Sequence, residues 1–121
     1  MGKRGEKMQA EILSIMRGEK SSLSAYDLLD ELREKYPKIA PPTVYRALAA
    51  LTERGQVHRL ESLNAYIARQ CEDHHQPSIF SICNDCGVVE ENFEPELFSK
   101  LSSALKNNGF SVERQVVEGH G

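Results

Sequence analysis

The chain has 121 residues and a formal net charge of −3, with 40% hydrophobic residues, 27% charged residues, three cysteines and no tryptophan. This length suits one domain or two very small ones, and the composition is that of a folded, soluble chain rather than a disordered or fibrous one. No apolar run approaches the roughly 18 residues of a membrane helix, and no secretory signal is visible, so we expect a cytoplasmic protein with no membrane partner. The odd cysteine count favours metal binding or free thiols over a disulfide framework.

The charge is unevenly distributed along the chain. Residues 1–60 contain 11 Lys and Arg against 8 Asp and Glu, a balance of +3, whereas residues 61–121 contain 4 against 10, a balance of −6. A basic half followed by an acidic half indicates two functional regions. The alternative is two solvated surfaces that merely differ in composition.

The spacing of apolar residues predicts three helices in the first half. The first helix is predicted over residues 5–16, with Gly18 as its C-cap. Ser24 is the expected N-cap of the second helix, which ends at Tyr36. The third helix begins near Pro42 and stops at Gly55. Its expected buried face consists of Val44, Ala47, Leu48 and Leu51.

After Gly55 the apolar period changes from 3.6 to 2. Alternation over residues 57–62, a turn at 63–65 and a second strand over 66–68 predict a β-hairpin. Three helices followed by a hairpin are typical of a winged helix-turn-helix, whose recognition helix lies in the major groove of DNA. Thr43, Tyr45 and Arg46 lie off the buried face of the third helix and have the chemistry to contact phosphates and base edges. The alternative is that they are a helix cap and solvated polar groups.

The second half predicts a small β-β-α-β unit. Strands are expected over residues 78–83 and 88–91, a helix over 94–107 and a last strand over 110–117. About 60 residues give a small core, and such a unit usually gains stability from a metal or from pairing with a second copy. An exposed sheet edge suits dimerisation.

Potential metal ligands are concentrated around the junction of the two halves. Thiolate, imidazole and carboxylate groups together are typical of zinc sites. A redox role for the Cys-x-x-Cys motif is disfavoured, because Gly87 and a strand follow it where a redox motif opens a helix. The donors are His58, Cys71, Glu72, Asp73, His74, His75, Cys83, Cys86, Glu90 and Glu91.

Several runs resemble one known family. Residues 40–48, Ala-Pro-Pro-Thr-Val-Tyr-Arg-Ala-Leu, resemble the recognition helix of the ferric uptake regulator family, and residues 58–66, 82–91 and 116–121 resemble its zinc uptake regulator branch. Members are dimeric, metal-sensing bacterial repressors. The resemblance implies an α+β fold, with a winged helix-turn-helix at 1–69 and an α/β metal-binding dimerisation domain at 70–121. It also implies a zinc-responsive repressor, not an enzyme, that binds inverted-repeat operators of metal-uptake genes as a homodimer.

The resemblance also implies roles for individual residues. It places three residues against DNA, three in a regulatory zinc site and two in half of a structural Cys₄ zinc site, with one zinc of each kind per protomer. The DNA-facing residues are Thr43, Tyr45 and Arg46, the regulatory ligands are His58, His75 and Glu91, and the structural ligands are Cys83 and Cys86.

Two departures from the branch affect the metal sites. Arg69 occupies the position where the regulatory cysteine is expected, and arginine cannot coordinate zinc. Cys71 lies two residues on, which keeps its thiol on the same face of a continuing strand, so we expect it to replace the missing ligand, with His74 as the alternative. The chain stops at Gly121, where the second Cys-x-x-Cys of the branch is expected to begin. Either the sequence is truncated or the structural site is degenerate.

A hypothesis for regulation follows from the order of the ligands. His58 belongs to the first half and the other ligands to the second, so a zinc ion that joins the halves would fix the spacing of two recognition helices in a dimer. An iron or manganese sensor of the same family and a metal-dependent interaction module without DNA binding stay as alternatives. A metalloenzyme with Glu90 as general base is disfavoured, because no H-E-x-x-H or comparable array is present.

Overall fold

The computed structural model describes residues 3–69, 77–106 and 108–121. Within them, four helices and five short strands form two units, Met1–His74 and His75–Gly121. The first unit holds three helices and a hairpin, and the second holds a three-stranded sheet and one helix, which confirms the predicted α+β class. The predicted boundary between residues 69 and 70 stays a prediction, because residues 70–76 lie outside the described ranges.

Local capping explains where the second helix begins. Helices α1 (Lys3–Arg17) and α2 (Ala25–Lys35) are separated by a short connection that ends at Ser24. The Oγ of Ser24 accepts a hydrogen bond from the backbone N–H of Asp27 at 3.1 Å, and Asp27 Oδ2 accepts one from the backbone N–H of Ser24 at 3.0 Å. This reciprocal capping box satisfies two otherwise unpaired donors and confirms Ser24 as the N-cap.

Local sequence explains where helix α3 (Pro41–Glu53) begins and ends. The proline pair occupies the first helical positions, where a missing N–H removes no helical hydrogen bond. Just beyond the helix, Gly55 has a φ of +74°, a left-handed conformation that favours glycine and ends the helix as expected. The structure confirms the predicted buried face, which consists of Val44, Ala47, Leu48 and Leu51.

The three helices of the first unit share one core. Their buried faces pack together, and Val57 and Ala68 of the hairpin close the same core from one side. Because each amphipathic helix buries its apolar stripe against the other two, periodicity in the sequence corresponds directly to burial. The largest fully buried side chains of the helices are Ile12, Met16, Leu28, Leu32, Leu48 and Leu51.

A hairpin, here called the wing, completes the first unit. Strand β1 (Val57–Leu60) pairs antiparallel with β2 (Ala65–Ala68). Asn64 in the connecting turn has a φ of +51°, and its Oδ1 accepts hydrogen bonds from the Arg59 guanidinium at 2.8 and 3.1 Å. The predicted strand through residue 62 is therefore wrong at its end, because residues 61–64 form the turn.

The second unit is a mixed sheet with one helix. Strand β3 (Ile79–Ile82) is central; β4 (Val89–Asn92) pairs with it antiparallel and β5 (Val117–His120) pairs with it parallel. Helix α4 (Pro95–Lys106) lies between β4 and β5 in the chain. The buried apolar residues of this unit are Phe80, Ile82, Val89 and Phe98.

The predicted last strand is wrong over most of its length. It was expected over residues 110–117, but β5 starts at Val117. Because Val117 lies opposite Ile79, the first residue of β3, residues 110–116 extend beyond the end of that strand. This segment is attached to α4 instead, where the Gln115 side-chain amide donates to the carbonyl of Phe98 at 3.3 Å and to the Ser102 hydroxyl.

The second unit leaves several of its large apolar side chains exposed to solvent. Helix α4 forms as predicted, but of its apolar residues Phe98 is the one that is buried. Its three leucines are exposed, and together with two exposed residues of the following segment they are here called the apolar surface. Its members, each between 37% and 58% exposed, are Leu97, Leu101, Leu105, Phe110 and Val116.

Candidate nucleic-acid interface and metal ligands

The outer side of α3 presents the residues predicted to face DNA. With 100° between successive residues, Tyr45 and Arg46 lie opposite the buried face of this helix, and both are exposed. Thr43 lies at the border of that face and is half-buried, with its backbone N–H hydrogen-bonded to the carbonyl of Ala40 at 3.0 Å. The exposed side of the first turns of α3 therefore offers a phenol and a guanidinium, with the Thr43 hydroxyl at its border.

A further exposed aromatic residue lies on the preceding helix. Tyr26, in the first turn of α2, is 71% exposed, which is more than any other large hydrophobic residue in the described ranges. In a helix-turn-helix the first helix of the pair crosses the DNA backbone. Sequence reasoning missed this residue, although its position off the stripe formed by Ala25, Leu28 and Leu29 was a usable signal.

His58 lies on the wing strand β1, opposite Ile67 of β2. Since side chains alternate along a strand and Val57 and Ala68 belong to the helical core, His58 faces away from that core. The residue is half-buried, and its ring nitrogen Nε2 is shielded from solvent. A sheltered imidazole nitrogen of this kind is a suitable zinc ligand.

Arg69 occupies the position at which the family resemblance predicts a cysteine ligand. Its backbone N–H donates to the carbonyl of Gln56 at 3.0 Å, which extends the pairing of the wing one residue past β2. By alternation from Ile67, Arg69 lies on the same face of the wing as His58. The backbone therefore places residue 69 where a ligand is expected, whereas its guanidinium cannot fill that role.

Three of the predicted ligands or alternatives cannot be placed. Cys71, His74 and His75 lie outside the described residues. In the parts of the chain that the structure does describe, no three His, Cys, Asp or Glu residues converge on a common point. The regulatory ligand set therefore stays a prediction.

The two cysteines of the Cys-x-x-Cys motif are brought together in one tight turn. The backbone N–H of Cys83 donates to the carbonyl of Val88 at 3.0 Å, and that of Gly87 donates to the carbonyl of Cys83 at 2.9 Å. Gly87 has a φ of +78°, which favours glycine and closes the turn. Both cysteines are free thiols, Cys83 half-buried and Cys86 exposed.

Hydrogen-bond donors in this turn make the thiol of Cys83 easier to ionise. The backbone N–H and the thiol of Cys86, together with the backbone N–H of Asp85, hydrogen-bond to the sulfur of Cys83 and hold the pKa of that thiol below its usual value. Because the thiolate is the form that binds metal, these donors prepare Cys83 to be a ligand. The donor chemistry of the turn therefore fits zinc.

Glu91 and Glu90 lie on opposite faces of β4. Glu91 is half-buried opposite Phe80, whereas Glu90 is exposed opposite Ser81. The Oε2 atom of Glu91 accepts a hydrogen bond from the hydroxyl of Ser78 at 2.6 Å. Of the two carboxylates that follow the cysteine turn, Glu91 is therefore the one held on the inner face of the sheet.

These features together define a class of protein. A three-helix unit with a wing, followed by a small mixed sheet that carries a cysteine turn, defines a winged-helix protein with a second α/β unit. No helix in the described ranges is both long and apolar enough to cross a membrane. The model of the ferric uptake regulator family matches residues 1–120, and the chain belongs to that family.

The sequence motifs predicted the zinc uptake regulator branch, and similar proteins and solved structures from that branch support this prediction. The zinc uptake regulation protein of Escherichia coli (strain K12) is 41% identical over 114 residues, which are 92% of this chain; the chain spans 66% of the length of that relative. A zinc uptake regulator complexed with zinc and DNA is 38% identical, with a TM-score of 0.90 over 94% of this chain and 77% of that one. The structure of holo XcZur is 36% identical, with a TM-score of 0.87 over 94% of this chain and 79% of that one. Membership of a regulator family confirms that the chain is not an enzyme.

Proposed function

We propose that the chain is a zinc-responsive transcriptional repressor that binds inverted-repeat operators of metal-uptake genes as a homodimer. The observation that carries this proposal is the likeness, at 38% identity and a TM-score of 0.90, to a zinc uptake regulator complexed with zinc and DNA. The exposure of Tyr45 and Arg46 on the outer side of α3 supports it, because that helix is the one that enters the major groove in this architecture.

For DNA binding, we assign direct contacts to Thr43, Tyr45 and Arg46, and we add Tyr26 as a contact to the DNA backbone. Arginine can bind a guanine edge with two hydrogen bonds, and hydroxyl groups bind phosphates. The test is a mobility-shift titration of an inverted-repeat duplex with and without zinc, repeated at several salt concentrations. The proposal requires zinc-dependent binding whose affinity falls as salt increases. Salt-insensitive binding, or none with zinc present, would favour the interaction module instead.

For zinc, we assign a regulatory and a structural site in each protomer. The regulatory ligands are His58, Cys71, His75 and Glu91, with His74 as the alternative to Cys71, and Cys83 and Cys86 serve the structural site. A zinc ion held by these side chains would tie them together through coordinate bonds. The sheltered imidazole of His58, the inner-face carboxylate of Glu91 and the polarised thiol of Cys83 support the assignment. That zinc joins the two halves of the chain stays a prediction, and full zinc-dependent DNA binding by His58→Ala would contradict it.

An iron- or manganese-sensing repressor is the second candidate. The ferric uptake regulation protein of Cupriavidus metallidurans is 30% identical over 113 residues, 91% of this chain and 77% of that protein. Thiolate ligands favour zinc, whereas sites of imidazole and carboxylate suit the harder metals. DNA binding measured with zinc, Fe²⁺ and Mn²⁺ at matched free concentrations separates the two candidates. Activation by Fe²⁺ or Mn²⁺ at lower concentration than zinc would overturn the zinc assignment.

For the homodimer, the apolar surface supports the proposal. Large apolar side chains that a small unit leaves exposed favour burial against a partner, and a two-fold interface requires one self-complementary surface. Leu101 lies within this surface on α4 and is 37% exposed. We expect Leu101→Glu to convert a dimer into a monomer in sedimentation experiments, while Glu96→Gln on the same helix leaves the mass unchanged.

A further inference from the structure

Ser78 is a buried polar residue next to a proposed zinc ligand. It lies immediately before β3 and is 6% exposed. Its hydroxyl lies 2.6 Å from the Oε2 atom of Glu91, thirteen residues further along the chain. A hydroxyl donating to a carboxylate at this distance is a charge-assisted hydrogen bond, which is shorter and stronger than one between neutral groups.

The sheet places the two side chains on one face. Ser78, Phe80 and Ile82 alternate with the less buried Ile79 and Ser81, so the first three share the inner face of the sheet. Glu91 lies opposite Phe80 and is therefore the diagonal neighbour of Ser78 on that face. Glu91 is half-buried on this face, so a hydrogen-bond donor offsets part of the cost of removing its carboxylate from water.

We propose that Ser78 is a positioning residue for Glu91, and that its hydroxyl holds Oε2 so that the carboxylate is presented to zinc in one fixed orientation. The inference rests on the proposed function, which makes Glu91 a regulatory zinc ligand. A glutamate side chain loses considerable rotamer freedom when it is ordered, and this hydrogen bond orders it before the metal binds. Partners of this kind behind a ligand typically contribute 10- to 100-fold to metal affinity.

The experiment is a double-mutant cycle on the full chain. Wild type, Ser78→Ala, Glu91→Ala and the double variant are titrated with zinc against a chromophoric chelator, so that each binding step is resolved. We expect Ser78→Ala to weaken the step that depends on Glu91 by about 10-fold, and to have almost no further effect when Glu91 is already alanine. Ser78→Thr keeps the hydroxyl and should keep zinc affinity close to that of wild type.

A second measurement separates positioning from a purely structural role. Urea unfolding of the metal-free variants, monitored by phenylalanine circular dichroism, reports on the second unit, because all four phenylalanines lie in it. A purely structural role predicts two results. Ser78→Ala would weaken zinc binding equally in the wild-type and the Glu91→Ala backgrounds, and the loss in binding free energy would match the loss in metal-free stability. Both results together would overturn the positioning role.

The outcomes also distinguish this inference from the proposed function. If Glu91→Ala weakens zinc binding while Ser78→Ala does not, the positioning role fails and the ligand assignment stands. If Glu91→Ala leaves every binding step unchanged, Glu91 is not a zinc ligand and both fail. A folded Ser78→Thr variant that binds zinc as weakly as Ser78→Ala would assign the effect to side-chain volume and overturn the inference.

Discussion

The two units of this chain bury apolar residues to very different degrees. Of the twenty buried apolar residues in the described ranges, sixteen lie in the first unit and four in the second. The first unit packs three amphipathic helices against each other and against the wing. The second unit buries one residue of α4, Phe98, and leaves the apolar surface exposed.

This difference indicates different sources of stability. The first unit has a core of its own, so we expect it to fold without a ligand or a partner. A unit with four buried apolar residues gains stability from outside its own core, through a metal or through a second copy. The residues proposed to face DNA thus lie on the unit with the larger core, and the cysteine turn and the apolar surface lie on the unit with the smaller one.

The largest expected effect is the loss of a core leucine in the first unit. Leu48 is fully buried in α3, so Leu48→Ala should lower the free energy of unfolding by about 2–5 kcal/mol through lost burial and the cavity that it leaves. Tyrosine fluorescence during urea unfolding measures the stability of the first unit selectively, because all four tyrosines lie in that unit. Leu101→Ala is the matched control in the second unit, followed by the circular dichroism of the phenylalanines there, and in dilute, monomeric protein it should cost well under about 1 kcal/mol.

The concentration dependence sharpens this contrast. If α4 lies in a dimer interface, Leu101→Ala should become more destabilising as the protein concentration increases, whereas the cost of Leu48→Ala should not change. A Leu101→Ala variant that is as unstable as Leu48→Ala at the lowest concentration would show that the second unit has a complete core of its own.

The next largest effect is the removal of metal. Cys83→Ser takes a donor from the cysteine turn, and we expect the second unit to lose about 2–3 kcal/mol, the stabilisation that a ligand gives when it is about 100-fold above its dissociation constant. The phenylalanine circular dichroism signal should then unfold at lower urea, while tyrosine fluorescence is unchanged. Ser81→Ala, at an exposed position of the neighbouring strand, is the control. An equal shift of both signals would contradict independent stability of the units.

The same contrast explains how much of the fold was predictable from sequence. In the first unit, periodicity predicted all three helices and the buried face of α3, because each helix buries its apolar stripe within that unit. In the second unit, the apolar residues between Phe110 and Val116 alternate like a strand, yet β3 is too short to extend beside them. Alternating apolar residues indicate that one side of a segment packs against another surface. The pattern does not specify whether that surface is a neighbouring strand, a helix or a second chain.

The candidate site likewise contains a part that was predictable from sequence and a part that was not. The cysteine turn was predictable, because its two thiols and the closing Gly87 are close in sequence. Ser78 was missed, because its importance depends on Glu91 across a strand pair. Glu91 was separable from Glu90 by family resemblance, and the sheet supplies the physical reason, since one of the two faces inward.

A smaller effect is expected for a DNA-facing residue of the first unit. Arg46→Ala should weaken operator binding by about 10- to 100-fold, the range for one specific arginine contact, with dimer mass and zinc affinity unchanged. Arg17→Ala removes the same charge from the exposed end of α1 and serves as the control in the mobility-shift assay. Equal weakening by the two variants would reduce the role of Arg46 to a general charge effect.

The smallest effect concerns pH and the contact between α1 and α2. Glu11 Oε1 accepts hydrogen bonds from Lys35 Nζ at 2.7 Å and Tyr36 OH at 2.9 Å, and these partners, Lys35 first, lower the pKa of Glu11 from 4.5. Because the folded-state pKa is the lower one, this contact stabilises the first unit above the unfolded-state pKa, and the stabilisation is lost as pH falls through the folded-state pKa. Lys35 is exposed and Glu11 is half-buried at the surface, so the effect should be slight and should weaken with salt.

Urea midpoints from tyrosine fluorescence between about pH 6 and about pH 3 test this contact. Glu11→Gln should lower the midpoint at the upper end of the range and have the smallest effect at the lower end, whereas Glu34→Gln on α2 controls for the loss of a carboxylate. Since Glu11 lies in the first unit, the phenylalanine signal of the second unit should show no difference between Glu11→Gln and wild type. A difference in that signal would mean that the units do not unfold independently, and the contrast between them would then have to be attributed to one cooperative fold.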